Sequence, residues 1–298
     1  MDGMTTSIVL PDSSRARLLH RFGAAAAGWC DELDALIAEF AAAWRLRPLE
    51  LLPAGSNSVV LRCESDEHGQ AVLKLTPDPE VARQEATALR GWWGVPYVVD
   101  LLEADPGRGA VLLEWLPEPE PLADADWSLE EVVPLLTALR VAPPDGAELP
   151  TLTERVGFLF DLMDGRAREL PSLHFLPGLL AESRAACLEL AEGGPIGLVH
   201  GDLHAGNVVR TGGRLVAIDP RPCLGDQAID LVDWALDGTT DEETARRRVD
   251  LLSERIPGVD RDRLWAWCRG FAAAIAVSLL RHRPDDPWGR FMLDWARR

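Results

Sequence analysis

The chain has 298 residues, 47% of them hydrophobic, and a formal net charge of −18. This length allows two hydrophobic cores, and the acidity argues against nucleic acid or an anionic membrane surface as a partner. A cationic small molecule is compatible with the charge, but so is acidity spread over the whole surface for solubility. The cysteine spacing does not indicate a disulfide framework and the N-terminus lacks a signal-peptide pattern, so we expect a cytoplasmic protein with no membrane partner.

Strands dominate the first third of the chain after a helical start. Apolar residues recur at helical spacing from Pro11 to about residue 44. Strands are predicted over residues 49–54, 58–64, 70–75, 97–104 and 110–116. After the third strand, Asp78-Pro79-Glu80 is typical of a helix start, and this helix is predicted to end near Trp93. The acidic, proline-rich stretch 117–121 then separates this region from a mainly helical one.

Lys74 is the only lysine in a chain with 30 lysine and arginine residues. A biased coding composition explains why lysine is rare, but not why the single lysine lies in a predicted strand. Its compact ammonium group suits a phosphate site that a guanidinium group cannot fill in the same way. Glu85 falls in the middle of the apolar face of the next helix, where an inward acid needs a partner. We expect an ion pair between Glu85 and Lys74; the alternative is a solvated Glu85 at the edge of that face.

The pattern from Trp127 to the end of the chain is mainly helical. Helices are predicted over residues 129–141, 151–170, 176–191, 228–236, 242–255 and 261–280. The segment from Ile196 to Asp219 interrupts them with a strand, a polar loop and a hairpin whose strands meet at a Gly-Gly turn. The apolar run from Phe271 to Leu280 is too short to span a bilayer and indicates a buried helix.

Three polar side chains of the segment 196–219 are of the types that accept protons or bind metal ions. Asp202 lies in the middle of the loop, Asn207 closes the loop, and Asp219 ends the returning strand. Phosphoryl transfer from a nucleotide needs a carboxylate that accepts the proton of a hydroxyl group, and an amide and a second carboxylate that bind Mg²⁺. The segment therefore predicts this chemistry. Asp230 is either a further catalytic acid or, as we expect, a structural residue that caps the backbone amides of the loop.

The run His200-Gly-Asp-Leu-His-Ala-Gly-Asn207, followed by Ile218-Asp-Pro220, resembles the catalytic loop and metal-binding aspartate of the aminoglycoside phosphotransferase family. The chain is most similar to the streptomycin 6-kinase and hydroxyurea phosphotransferase subgroup. In that subgroup Pro and a short Leu-Gly-Asp/Glu run follow the metal aspartate, as they do here between Asp219 and Asp230. The resemblance covers the chain from about residue 45 to its end. It implies an α+β fold of the bilobal protein-kinase-like type, with a small, mainly β N-lobe and a larger, mainly α C-lobe.

The resemblance also implies how the lobes divide the chain. Residues 1–116 would form the N-terminal lobe, with a helical N-terminal extension and the nucleotide-binding sheet. Residues 117–121 would be a hinge or linker. Residues 122–298 would form the helical C-terminal lobe, which carries the catalytic hairpin and the substrate site.

The resemblance further implies a kinase that uses ATP and Mg²⁺ to phosphorylate a hydroxyl of an aminoglycoside, with the 6-hydroxyl of streptomycin as the expected acceptor, and so confers antibiotic resistance. Asp202 would be the catalytic base, and Asn207 and Asp219 would bind the metal. The loop before the second strand has one glycine, fewer than the full glycine-rich pattern. Contacts with ATP are expected from Lys74, Glu85, Ser56, Ser58, Glu114, Trp115 and Leu116.

Contacts with the acceptor are expected from acids on the helices beside Asp202, because a cationic acceptor needs carboxylates. Each of these acids has a simpler alternative role as a solvated helix residue. The candidates are Asp161, Asp164, Asp226, Asp233 and Asp237.

Other functions remain open at this point. A metabolic kinase of the same fold would act on hydroxyurea, a sugar or an amino alcohol. A non-catalytic kinase-like nucleotide-binding module would normally lack one of four residues that are all present here: Lys74, Asp202, Asn207 and Asp219. The pattern His200-x-Asp-x-His204 also occurs in dinuclear metallohydrolases. That function is disfavoured because such a site needs further His ligands, and the other four histidines of the chain carry no motif. A protein kinase is disfavoured because only ten residues separate Asp219 from Asp230. The sequence does not indicate an oligomeric state.

Overall fold

The computed structural model of the protein describes residues 10–53, 57–170, 173 and 175–298. The chain divides into two units, Met1–Glu118 and Pro119–Arg298. The division falls inside the proline-rich stretch 117–121, and the last two residues of that stretch form a short strand of the second unit.

The first unit is built on an antiparallel sheet with the strand order β1-β2-β3-β5-β4. Its strands are β1 Leu46–Leu52, β2 Val59–Ser65, β3 Gly69–Leu75, β4 Leu101–Asp105 and β5 Ala110–Glu114. Its helices are α1 Asp12–Phe22, α2 Ala26–Asp31, α3 Leu33–Ala43 and α4 Pro79–Gly91.

Side-chain alternation decides which face of this sheet each helix covers. Leu61 and Leu73 are buried in one core with Leu33 and Phe40 of α3, so the N-terminal helices cover the face to which these strand residues point. Lys74 follows Leu73 in β3 and points to the opposite face. Helix α4 packs against β4 and β5 of the same sheet.

The start of α4 agrees with the sequence prediction. The Asp78 carboxylate accepts a hydrogen bond of 3.0 Å from the Glu80 backbone amide, and Pro79 occupies the first turn. The helix ends at Gly91, slightly before the predicted end, and Trp92 is its buried C-cap. The strand predicted from residue 97 begins only at Leu101, because the residues before it form a turn.

The second unit is mainly helical. Its helices are α5 Leu129–Ala138, α6 Leu152–Ala167, α7 Leu176–Glu192, α8 Val232–Leu236, α9 Glu242–Arg255, α10 Arg261–Leu280 and α11 Pro287–Ala296. Its strands are β6 Glu120–Pro121, β7 Gly197–Val199, β8 Val208–Thr211, β9 Arg214–Ala217 and β10 Cys223–Gly225. Strand β6 pairs with β8 at the edge of the hairpin β8–β9, which gives a three-stranded sheet. Strands β7 and β10 pair with each other.

Helix α10 is the central helix of this unit and packs against α6, α7, α9 and α11. Its length and apolar composition would also suit a membrane span. However, 61% of its most apolar 18-residue stretch is buried inside the protein, as in a core helix. The helices predicted over residues 242–255 and 261–280 have the observed bounds. The helix predicted over 228–236 is instead a 3-10 helix, Gln227–Leu231, followed by α8, while α11 and β10 were not predicted.

All five cysteines are free thiols buried inside the protein. Burial disfavours the thiolate form of these side chains. It raises the pKa of the Cys63 thiol to about 11 and that of the Cys187 thiol to about 12.

Asp230 holds the polar loop that follows β7. Its two carboxylate oxygens accept hydrogen bonds from the backbone amides of His200, at 2.7 Å, and Gly201, at 2.8 Å. Gly201 has φ +75°, and a Cβ atom there would lie 2.2 Å from the carbonyl oxygen of Arg221, so only glycine fits. Burial raises the pKa of Asp230 to about 7, and the two amide hydrogen bonds oppose that rise. The structural role predicted for Asp230 is confirmed.

Asp226 has a structural role that the sequence did not suggest. The side chain is 2% exposed, accepts a hydrogen bond of 2.7 Å from the indole nitrogen of Trp267, and forms an ion pair with Arg263. The Arg263 guanidinium also donates to the carbonyl oxygens of Leu190 and Gly193, at the end of α7. Because its carboxylate is used inside the protein core, we correct the expectation that Asp226 contacts the substrate.

We predict that Asp226→Ala lowers the free energy of unfolding by about 3–5 kcal/mol, because it leaves the Arg263 guanidinium partly buried without its carboxylate. Urea denaturation followed by circular dichroism measures this change. Asp285→Ala is the matched control, because Asp285 is 90% exposed in its pair with Arg290, and exposed ion pairs contribute little. Equal losses in the two variants would contradict the structural role of Asp226.

The second prediction concerns His200, which is fully buried under the loop. Burial lowers its pKa from 6.5 to about 3, against an opposing effect of Asp219. The unfolded chain therefore takes up a proton below pH 6.5 that the folded protein excludes, so this contribution to stability is complete above pH 6.5 and is lost as the pH falls. Between pH 7 and pH 5 the loss is about 2 kcal/mol.

Urea denaturation of the wild type and of His200→Gln at both pH values tests this prediction. The wild type should lose about 2 kcal/mol more than the variant on acidification, since all other titrating groups are shared. The same loss in both proteins would show that His200 is not held neutral by the fold.

Candidate active site

The buried ion pair predicted in the first unit is present. Lys74 Nζ lies 2.7 Å from Glu85 Oε1, and the two residues are 7% and 2% exposed. Strand β3 places the lysine between Val60 of β2 and Val111 of β5, and α4 presents Glu85 to it. A buried pair of this kind holds the ammonium group in one position, as a site for phosphate requires.

The end of β5 leads into residues 114–116, which are expected to contact ATP. Glu114 Oε1 accepts a hydrogen bond of 3.1 Å from the Asp100 amide, Trp115 lies under the Arg62 guanidinium, and Leu116 is buried. In the described part of the chain, no backbone hydrogen bond outside the strands involves the main chain of Trp115 or Leu116. Their peptide groups are therefore a suitable edge for a planar, hydrogen-bonding ligand.

The loop between β1 and β2, from which contacts with ATP are expected, is described only in part. Ser56 lies outside the described residues, so its expected contact with ATP stays a prediction. Ser58 is half-buried immediately before β2.

Asp202 and Asn207 are joined by two hydrogen bonds within the loop of the second unit. The Asn207 side-chain nitrogen donates to the Asp202 carbonyl oxygen at 2.8 Å and to its carboxylate oxygen Oδ2 at 3.1 Å. The Ile218 amide donates to the Asn207 carbonyl oxygen at 2.9 Å, which ties the residue before Asp219 to the same loop. The three predicted residues are thus anchored to one another through the backbone and through Asn207.

Asp219 follows β9 with φ +58°, in the left-handed region that residues other than glycine enter uncommonly. Its carboxylate oxygen Oδ1 lies 4.0 Å from the Arg221 guanidinium. A backbone conformation of this kind concentrates at functional sites, where the surrounding structure maintains it.

The donor set suits Mg²⁺. The Asn207 side-chain nitrogen donates to Asp202, so the side-chain oxygen of Asn207 is the atom that can bind a cation. Asp219 contributes a carboxylate. Among the described residues, no group of three or more His, Cys, Asp or Glu side chains could hold a metal ion by itself. Magnesium commonly takes one or two protein ligands and completes its shell with phosphate and water oxygens, so two oxygen donors fit it.

His204 is a neighbour of Asp202 to which the sequence did not assign a role. Its Nδ1 atom accepts a hydrogen bond of 3.0 Å from the Gly206 amide, so the neutral ring carries its proton on Nε2. The Nε2 atom lies 3.9 Å from Asp202 Oδ1. His204 therefore presents a donor toward the carboxylate of the expected base.

A cavity in the second unit adjoins Asp202. Helices α6 and α10 supply most of its apolar lining, and Asp202, Asp230 and Asp233 supply its carboxylates. Burial and the charge of Asp202 raise the pKa of Asp233 to about 6, while His204 opposes this rise. Arg155, whose guanidinium donates to the Gly201 carbonyl oxygen at 3.0 Å, is the cation in the lining.

The other predicted acceptor residues are not part of this lining. Asp161 is exposed and pairs with Arg184 at 2.5 Å, and Asp164 lies half-buried on the same helix. Burial raises the pKa of Asp237, and the nearby Arg248 opposes that rise. Only Asp233 of the five predicted acids lines the cavity with Asp202.

Sequence reasoning missed Arg155 and the apolar wall of the cavity. The capping box Thr151–Glu154 is visible in the sequence and does predict where α6 begins. Nothing local to α6, however, indicates that α10, far along the chain, completes the same cavity.

Comparisons with solved structures show the fold. Choline kinase LicA from Streptococcus pneumoniae is 14% identical, with a TM-score of 0.60, and the match covers 89% of this chain and 98% of that one. The ternary complex of streptomycin, ATP and APH(2″)-IIa is also 14% identical, with a TM-score of 0.55, and covers 88% and 95%. A complex of a thermostable APH(4)-Ia mutant with AMP-PNP and hygromycin B is 15% identical, with a TM-score of 0.53, and covers 85% and 94%.

The search of curated proteins gives no match. The family model described as aminoglycoside/hydroxyurea antibiotic resistance kinase matches residues 43–282, which is most of the chain. The resemblance predicted from the catalytic-loop motif is therefore confirmed. With its mainly β first unit, its mainly α second unit and its kinase-like structural neighbours, the chain has a protein-kinase-like fold and belongs to the aminoglycoside/hydroxyurea antibiotic resistance kinase family.

Proposed function

We propose that this protein is an ATP- and Mg²⁺-dependent kinase that phosphorylates a hydroxyl of an aminoglycoside, with streptomycin at its 6-hydroxyl as the first candidate, and that it confers antibiotic resistance from the cytoplasm. The observation that carries the proposal is the position of Asp202, oriented by Asn207 and lining a cavity of the second unit. The family match supports the acceptor class, and the neighbours solved with ATP or AMP-PNP support the nucleotide.

Asp202 acts as the base in the proposed reaction. Its carboxylate accepts the proton of the acceptor hydroxyl as the hydroxyl oxygen bonds to the γ-phosphorus of ATP, and the bond from that phosphorus to the bridging oxygen of ADP breaks. The Asn207 amide hydrogen bond fixes the direction of the carboxylate, and buried His200 stays neutral beneath the loop. Most of the rate acceleration comes from positioning and from charge stabilisation.

The remaining site residues bind the nucleotide and the metal. Lys74, held by Glu85, contacts the α- and β-phosphates, and the main chain of 114–116 contacts adenine. Ser56 and Ser58 belong to the loop that covers the phosphates. Asn207 and Asp219 hold Mg²⁺, which when bound neutralises charge on the phosphate oxygens.

A second candidate is a metabolic kinase that phosphorylates an amino alcohol. The apolar lining of the cavity beside Asp202 favours it, because a hydrocarbon-rich wall suits a smaller acceptor than a polyhydroxylated antibiotic. Choline kinase LicA is among the structural neighbours.

A panel assay distinguishes the candidates. Magnesium-dependent ADP release by the purified protein is measured with streptomycin, other aminoglycosides, hydroxyurea, choline, homoserine and common hexoses. Turnover that requires streptomycin supports the first candidate, and turnover that requires choline or homoserine supports the second. A lack of turnover with every acceptor, together with no thermal stabilisation by ATP, would contradict the kinase proposal.

We predict that Asp202→Asn lowers kcat by about 10²–10⁴-fold, because an amide cannot accept the hydroxyl proton. The thermal unfolding midpoint should change little, since the carboxylate is 42% exposed and the amide keeps an oxygen for the Asn207 hydrogen bond. Exposed Asp285→Asn serves as the control with the same chemical change. Near-normal turnover in Asp202→Asn would remove this residue from the role of base.

We further predict that Lys74→Met raises the KM for ATP and lowers kcat, because a neutral side chain cannot bind the phosphates. Glu85→Gln should produce a smaller effect in the same direction, since the lysine stays charged but loses its fixed partner. ADP release as a function of ATP concentration measures both changes. Arg83→Met, which removes a positive charge from the surface of α4, should leave both constants unchanged.

A further inference from the structure

The cavity beside Asp202 has two chemically different sides. Leu159 and Met163 of α6 and Phe271, Ala274 and Ile275 of α10 form a hydrocarbon wall. The polar groups come from the loop, from the 3-10 helix and α8 that follow β10, from Arg155 of α6 and from Ser278 of α10. Its volume is about 190 Å³, and a cavity of about 150 Å³ accommodates benzene, so there is room for one substituted six-membered ring.

Most of the polar groups in this lining already have partners inside the protein. Both carboxylate oxygens of Asp230 accept backbone amide hydrogen bonds. The Arg155 guanidinium donates to the Gly201 carbonyl oxygen and lies against the Phe158 ring. Asp202 accepts from Asn207 and is the proposed base.

Asp233 differs from these groups. It is half-buried, lines the cavity, and forms no hydrogen bond or ion pair through its carboxylate with any residue that the structure describes. The charged groups that act on it are His204, Asp202 and Asp237, of which two are acids. A carboxylate that is partly removed from water and has no partner costs free energy, and a cation supplied by a ligand offsets that cost.

We propose that Asp233 binds one cationic nitrogen of the acceptor while a hydrocarbon face of the acceptor packs against α6 and α10. The moiety that enters the cavity is then an amphipathic amino alcohol: a single ring or short chain with a hydroxyl that reaches Asp202, one cationic nitrogen and one apolar face. The inference rests on the proposed function, because it takes Asp202 as the group that faces the reacting hydroxyl. In this inference, Asp233 is the residue that determines whether the protein prefers cationic or neutral acceptors.

Two probes isolate this assignment. The probes trans-4-aminocyclohexanol and trans-1,4-cyclohexanediol share a ring and a hydroxyl and differ by one cation. Phosphorylation is followed by ADP release, and binding in the absence of nucleotide is followed by calorimetry. The wild type should prefer the amine about 10- to 100-fold, the range expected for a hydrogen bond to a charged group. Asp233→Asn should lose this preference through KM, with the diol and kcat little changed.

Asp250→Asn is the matched control, because Asp250 lies on α9 and pairs with Arg261 away from the cavity lining. It should retain the preference for the amine. Equal binding of amine and diol by the wild type, no binding of either probe, or a preference that survives in Asp233→Asn would each overturn the inference.

The calorimetric binding measurement distinguishes a failure of this inference from a failure of the proposed function. If the amine binds, the binding is lost in Asp233→Asn, and neither probe nor any panel acceptor is phosphorylated, then Asp233 keeps its assigned role as the cation-binding group and the kinase proposal fails. If streptomycin is phosphorylated with the same KM by the wild type and by Asp233→Asn, the kinase proposal stands and the inference fails.

Discussion

The candidate chemistry of the second unit depends on the carboxylate of Asp230. Its two hydrogen bonds hold the amides of His200 and Gly201, and these residues begin the loop that carries Asp202 and Asn207. The same loop is joined to β9 through the Ile218 amide, so the position of Asp219 follows from it. One buried acid, satisfied by backbone donors, thus supports the side chains that we assign to proton transfer and to metal binding.

Much of the candidate site was predictable from the sequence, because the residues that indicate it lie close together along the chain. Lys74 and Glu85 lie on consecutive elements with clear strand and helix periodicity, and the loop residues follow one another within a short motif. The fold class followed from that motif and from the change in composition near residue 117. The burial of Asp226 was not predictable, since its partners Arg263 and Trp267 come from a helix distant in sequence. The cavity beside Asp202 escaped prediction for the same reason, since α6 and α10 line it together.

The two kinds of acid in the second unit show why residue type alone is a poor guide to substrate contacts. Asp226 and Asp233 are separated by a single short 3-10 helix, yet the first is used inside the core, whereas the second lines a cavity and its carboxylate has no partner among the residues that the structure describes. Only packing distinguishes them. A count of acids beside the catalytic loop therefore overestimates the charge that an acceptor meets.

The single lysine has a consequence for covalent chemistry. Reagents and enzymes that modify lysine side chains find no target on the surface, because the one ε-amino group is buried against Glu85. Modification that reaches this amine removes its charge and leaves an acid buried without its partner. Acylation of lysine side chains is therefore an all-or-none event in this protein: one adduct at Lys74 reports directly on the state of the β3–α4 ion pair, free of the background that surface lysines give in other proteins.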